Sequence, residues 1–159
     1  MKILVAYYSR TGTTKKIAEA ISRRLKCDIE EIIDIKDRKG IIGYILAARD
    51  AATKRLTEIK SPEKDPSLYD IVLIGTPVWA FTTTPAVRTY LTTNKDRFKK
   101  VAFFCTQGGA GGKRAFKDME EVSGRRPHAL LEITEREMAK KAYMSDIEKF
   151  INAVCAISD

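Results

Sequence analysis

Five times along this 159-residue chain a short apolar run gives way to a stretch with helical spacing. A chain that alternates in this way cannot join its strands as hairpins, because a helix separates each strand from the next. The strands must run parallel, with helices packed over both faces of the sheet. The apolar runs are 2–8 (KILVAYY), 27–35 (CDIEEIIDI), 71–76 (IVLIGT), 100–106 (KVAFFCT) and 128–134 (HALLEIT). The first, third and fourth are almost continuously apolar, as strands buried on both faces must be. The second and fifth interleave charged residues and read as edges. The reading is an α/β three-layer sandwich: one domain over 1–159, with a five-stranded parallel sheet in the order 2-1-3-4-5.

The helices between the runs carry their own signals. Ile17, Ala18, Ile21 and Leu25 form one helical face, and in the segment 39–56 Ile41, Ile45, Ala48, Ala52 and Leu56 line a second stripe. Thr84-Pro85 opens a helix that ends near Asn94, and the helix over 113–122 stops at Gly124. The last helix, with Ile147, Phe150, Ile151 and Val154 on its inner face, is expected to open with a capping box, Ser145-x-x-Glu148.

Composition narrows the function. With 44% hydrophobic and 31% charged residues, the chain has the make-up of a water-soluble domain, and no apolar run is long enough to span a bilayer. The N-terminus lacks the features of a secretory signal, so a cytoplasmic location is expected. Three cysteines without CxxC spacing and a single histidine, His128, argue against a disulfide frame or a metal centre. The net charge of +8 is dispersed in pairs such as Arg23-Arg24 and Lys99-Lys100, with no nucleic-acid motif to organise it.

In a sheet of this order, ligands bind beyond the carboxyl ends of the strands flanking the switch point, here the first and third. Between the first strand and its helix lie Ser9, Arg10, Thr11, Gly12, Thr13 and Thr14. Hydroxyls at a helix start, beside unpaired backbone N–H groups, suit a phosphate held without lysine or metal. After the third strand come Thr76, Pro77, Val78, Trp79, Ala80 and Phe81, which include the only tryptophan. A flat aromatic at a crevice rim suits stacking on a planar ligand. After the fourth strand come Thr106, Gln107, Gly108 and Gly109, whose glycines let backbone N–H groups approach a ring edge.

These three loops resemble those of the flavodoxins, and the resemblance runs in order along the whole chain. Ser9-x-Thr11-Gly12-x-Thr14 looks like the FMN phosphate loop, residues 76–81 like the first isoalloxazine loop, and 106–109 like the second. No long insertion splits the fifth strand, as in the short-chain type. The resemblance implies an FMN-binding, low-potential electron-transfer protein, a monomer or weak dimer, that exchanges electrons with redox protein partners. It implies no catalytic side chain and no metal. Two features depart from the family's usual pattern: the basic net charge, and the lack of a tyrosine after Cys105 to complete an aromatic sandwich. Tyr7, Tyr8 and Tyr44 are expected to lie elsewhere, so aliphatic or backbone atoms would cover the second flavin face or leave it open.

A second reading is an FMN-dependent NAD(P)H:quinone-type oxidoreductase, which an open flavin face would favour. A phosphorylation receiver is excluded, because the first strand ends in Tyr8-Ser9 and the third in Gly75-Thr76, with no acidic cluster. A low-molecular-weight phosphatase fails too: the position six after Cys105 is Gly111, not arginine.

Overall fold

The computed structural model describes residues 1–36 and 40–156. Its elements follow the expected alternation: β1 (Ile3–Tyr7), α1 (Thr13–Leu25), β2 (Asp28–Glu31), α2 (Gly40–Ala52), β3 (Ile71–Pro77), α3 (Pro85–Asn94), β4 (Val101–Gln107), α4 (Gly112–Ser123), β5 (Leu130–Thr134), α5 (Glu135–Ala139) and α6 (Met144–Cys155). The sheet is parallel throughout, in the order β2-β1-β3-β4-β5. β1 and β4 are buried at every residue and β3 at all but Pro77, whereas β5 alternates and β2 is largely exposed. The charges in the second and fifth runs therefore mark the edges, as their chemistry requires.

The two-residue period of a strand divides β1 between two cores. Ile3, Val5 and Tyr7 pack with α1 and α6, through Ile17, Ile21, Ile147, Phe150 and others. Leu4 and Ala6 point to the opposite face, where Val87, Tyr90 and Leu91 of α3 meet Phe116 and Met119 of α4. Thr84 caps α3 by accepting a hydrogen bond from Val87 N, and Gly124 closes α4 in the left-handed conformation, both as the sequence suggests.

Four local expectations need correction. The second strand ends at Glu31; beyond it Asp34 bridges Ile59 antiparallel, and Ile35 N and Lys60 N bond across the same two segments. The second helix ends at Ala52, short of Leu56, and Lys39, its expected first residue, lies outside the described residues. That helix also presents the opposite face: Ile41 is 82% and Ile45 60% exposed, while Gly43, Ala47, Asp50 and Ala51 are buried. Small residues at i, i+4 and i+8 let the helix lie close to its support, and that row takes the inner position. Finally, no side chain caps α6, which starts at Met144. The capping box belongs instead to Thr134 and Glu137, which open the short α5.

Candidate cofactor site

The register aligns the carboxyl ends of the three central strands, with Tyr7 opposite Gly75 and Pro77 opposite Thr106. The three loops therefore emerge side by side. They enclose a cavity of about 240 Å³ lined by Arg10, Thr11, Thr13, Thr14, Pro77, Val78, Trp79, Thr106, Gln107 and Gly108, together with Tyr44 and Glu135. Of the residues singled out in the sequence, Ser9, Gly12, Thr76, Ala80, Phe81 and Gly109 stand outside this lining.

The first loop is built to leave a helix start open. Gly12 occupies the N-cap of α1 with φ 90°, in the left-handed region that favours glycine. It has no side chain to cap the helix, and the first turn holds no acidic residue. The start of α1, with the positive end of its dipole, thus meets the cavity without a capping side chain or a first-turn carboxylate; the acidic residue in the lining, Glu135, comes from another helix. Ser9 Oγ accepts from Gly12 N at 3.1 Å, which closes the loop, and Thr11 and Thr13 hydroxyls lie 3.3 Å apart. Thr14 is buried, and its hydroxyl bonds Thr106 Oγ1 at 2.8 Å, joining the first loop to the third.

The second loop holds Trp79. Trp79 and Thr82 exchange backbone hydrogen bonds of 3.0 Å in both directions, closing a two-residue hairpin over Ala80 (φ 48°) and Phe81 (φ 62°). Both central residues are left-handed, as in a type I′ turn, although neither is glycine; each left-handed residue costs roughly 1–2 kcal/mol. Two contacts hold the turn. Gly111 (φ 112°) lies directly beneath it: a Cβ there would come within 2.9 Å of Phe81 Cα and 3.0 Å of Val78 Cγ1. Thr82 Oγ1 donates to Asp118 Oδ2 at 2.5 Å, and Asp118 in turn is bonded by buried Arg88 and paired with Lys54 Nζ at 3.2 Å. Burial alone would raise the Asp118 carboxyl's pKa, but the bonds from Thr82, Arg88 and Lys54 with the charge of Arg88 outweigh it and hold the group below the ordinary carboxylate range. The Trp79 ring packs edge-on against Tyr8, with centroids 5.5 Å apart and planes at 88°.

Thr76 serves the loop from within rather than the cavity. Its hydroxyl donates to Pro77 O at 2.9 Å and accepts from Thr83 Oγ1 and Thr84 N. In the third loop Gln107 Nε2 bonds the Glu132 carboxylate, while Gln107 Oε1 is buried without a partner among the described residues. An acceptor in that state fits a ligand that brings an N–H donor, such as the edge of a heterocyclic ring.

Sequence reasoning missed two lining residues. Tyr44 was expected elsewhere, yet it reaches the cavity from α2, with the Arg10 guanidinium 5.2 Å above its ring centroid and Arg10 Nη2 3.5 Å from Gly40 O. The available signal was topological, since α2 starts near the carboxyl end of β2. Glu135 enters at the start of α5, and the Thr134-x-x-Glu137 box could have flagged that helix.

An anion cradle at an uncapped helix, two aromatic rings and an orphaned ring-edge acceptor together fit a phosphorylated planar cofactor. The cavity lies just below the ~300 Å³ at which pockets enclose whole ligands, as suits a ligand with one edge left in solvent.

Comparison with known proteins agrees. Curated protein sequences give no match. Among solved structures, the chain is similar to a flavoprotein from Lactobacillus acidophilus NCFM in complex with FMN, with 26% identity over 89% of this chain and 98% of that one and a TM-score of 0.74. It is similar to the apo-form of the flavoprotein from the same organism, with 27% identity over 87% and 95% and a TM-score of 0.62. Oxidised flavodoxin 2 from Bacillus cereus shares the fold at 20% identity over 97% and 96%, with a TM-score of 0.59. The family model described as flavodoxin matches residues 2–151, and the chain belongs to the flavodoxin family.

Proposed function

We propose that the chain binds one FMN in this cavity and acts as an electron-transfer protein between redox partners. The observation that carries the reading is the uncapped α1 start facing a cavity lined by Trp79 and Tyr44. Bound FMN would supply one-electron chemistry at its ring. The α1 amides with the Thr11 and Thr13 hydroxyls would hold its phosphate, and Arg10 would add a cation beside it. Trp79 and Tyr44 would cover the ring and exclude water, and Gln107 Oε1 would accept from its polar edge. Tyr44 thus provides the second aromatic that the sequence did not reveal.

The test is an FMN titration of the purified chain, followed by anaerobic mixing with NADPH. Stoichiometric binding with slow or no bleaching is expected. No FMN binding would refute the cofactor assignment. Rapid bleaching would replace the carrier reading with that of an NAD(P)H:quinone-type oxidoreductase.

A further inference from the structure

Among the described residues, nothing covers the outward face of α2. Ile41 (82%), Ile42 (75%), Tyr44 (57%), Ile45 (60%) and Leu46 (41%) are all exposed within two turns. A helix apolar on nearly every side is ordinarily buried in a core or in lipid. A patch of this kind exceeds scattered surface residues and marks an interaction site.

Its surroundings are basic. Arg49 lies on the same helix, Arg10 stacks on Tyr44 at the rim, and Lys36 precedes the helix. Residues 36–55 carry six basic side chains against two acidic ones. Arg49 is paired with buried Asp50 at 3.5 Å and Lys54 with buried Asp118 at 3.2 Å, so among the described residues the exposed Lys36 and Arg55 supply the positive charge beside the helix. Two copies meeting through this face would bring two +8 chains together at their basic patches. Stable homodimers also need ~800 Å² per partner, whereas patches on single chains run to roughly 300–600 Å². A protein dock would centre on aromatic and arginine anchors. Here four of the five exposed apolar side chains are Ile or Leu, the one aromatic, Tyr44, also lines the cavity under Arg10, and Arg49 is tied to Asp50. Protruding Ile and Leu with flanking Arg and Lys is instead the composition of a helix that lies in a lipid interface.

We infer that α2 seats the protein on an anionic lipid surface, with Ile41, Ile42, Ile45 and Leu46 entering the headgroup boundary and the basic residues facing lipid phosphates. With 13 residues the helix is too short to cross the bilayer, so it lies in the interface plane. Tyr44 belongs to both the patch and the cavity, so the seated protein holds its crevice at the membrane surface. This inference rests on α2 and does not depend on the cofactor.

Co-sedimentation of the full chain, with and without FMN, tests it, using vesicles of phosphatidylcholine alone and of phosphatidylcholine with phosphatidylglycerol in equal parts. Binding to the anionic vesicles that weakens with salt is expected. Ile41→Ser/Ile45→Ser should weaken it roughly tenfold or more, since each side chain loses buried apolar area. Ile42→Glu, at another exposed position, should do the same by repulsion, and circular dichroism verifies that both variants remain folded. Equal binding to the two vesicles, no binding at low salt, or binding unchanged in the folded variants would overturn the assignment. So would a lipid-free dimer abolished by the same substitutions, which would give the face to a second copy. Binding to polyglutamate in place of vesicles, lost in the variants, would make it the dock of an acidic protein and overturn the lipid assignment.

Discussion

Asp118→Asn should be the most destabilising conservative change near the site. The substitution keeps the shape of the side chain and removes its charge. Arg88, 5% exposed, then remains in the interior without its anion, while Thr82 and Lys54 lose theirs. Breaking one side of a buried ion pair costs about 3–5 kcal/mol. With a urea dependence of ~2 kcal/mol per molar, the unfolding midpoint should fall by roughly 1.5–2.5 M. Replacing both partners with apolar residues of similar size, as in Arg88→Met/Asp118→Leu, should recover most of the loss, because no buried charge is then stranded. The pH dependence follows from the depressed pKa. Asp118 stabilises the wild type fully above the unfolded carboxylate value of ~3.9, and this contribution disappears as pH falls through the lower folded value. The stability gap between wild type and Asp118→Asn should therefore close in acid. A single variant that loses less than 1 kcal/mol, or a double variant as unstable as the single, would refute the reasoning.

Thr11→Ala should weaken FMN binding about ten- to a hundredfold by calorimetry, the value of a charge-assisted bond of roughly 1.5–3 kcal/mol; an unchanged affinity would sink the phosphate assignment. Thr14→Ala should also lower stability by about 1–3 kcal/mol, since it leaves the Thr106 hydroxyl buried and unpaired, and chemical denaturation reads this directly. Trp79, the only tryptophan, should lose most of its emission as FMN is added, and undiminished fluorescence at saturation would place it away from the ring. The second one-electron potential of bound flavin should lie above that of an acidic carrier and fall with salt. Arg10 raises it and Glu135 opposes it, so Glu135→Gln should shift it up by about 20–40 mV for ~0.5–1 kcal/mol of relieved repulsion. A redox titration at two ionic strengths that shows no change in either comparison would rule the side chains out.

The order of the sheet was legible because burial on both faces leaves a central strand no room for charge, and the runs at 71–76 and 100–106 carry none except the leading Lys100. The three loops were legible because glycine, hydroxyl and proline chemistry is local. The azimuth of α2 was not. Its large and small apolar residues both repeat with helical spacing, and periodicity alone cannot tell a face that packs closely from one that is left outside. Tyr44 was lost for the same reason, since its place in the cavity follows from that azimuth. The left-handed pair Ala80–Phe81 was equally hidden. Nothing in its own sequence favours the turn; its supports, Gly111 and Asp118, lie 30 or more residues away. The capping box went to the wrong helix because Ser145-x-x-Glu148 and Thr134-x-x-Glu137 are equivalent as text, and only the path of the chain after β5 separates them.

The hydroxyl contact between Thr14 and Thr106 spans 92 residues of sequence and 2.8 Å of space. It fixes the distance between two walls of the crevice through the chain's own atoms. The first and third loops are thus already joined before a ligand arrives, so that uptake would resemble a key entering a cut lock more than a hand closing. Such a protein can lose its cofactor and wait in a receptive form. Exchange would then be governed by the off-rate of the ligand, with little loop ordering added to the cost of rebinding.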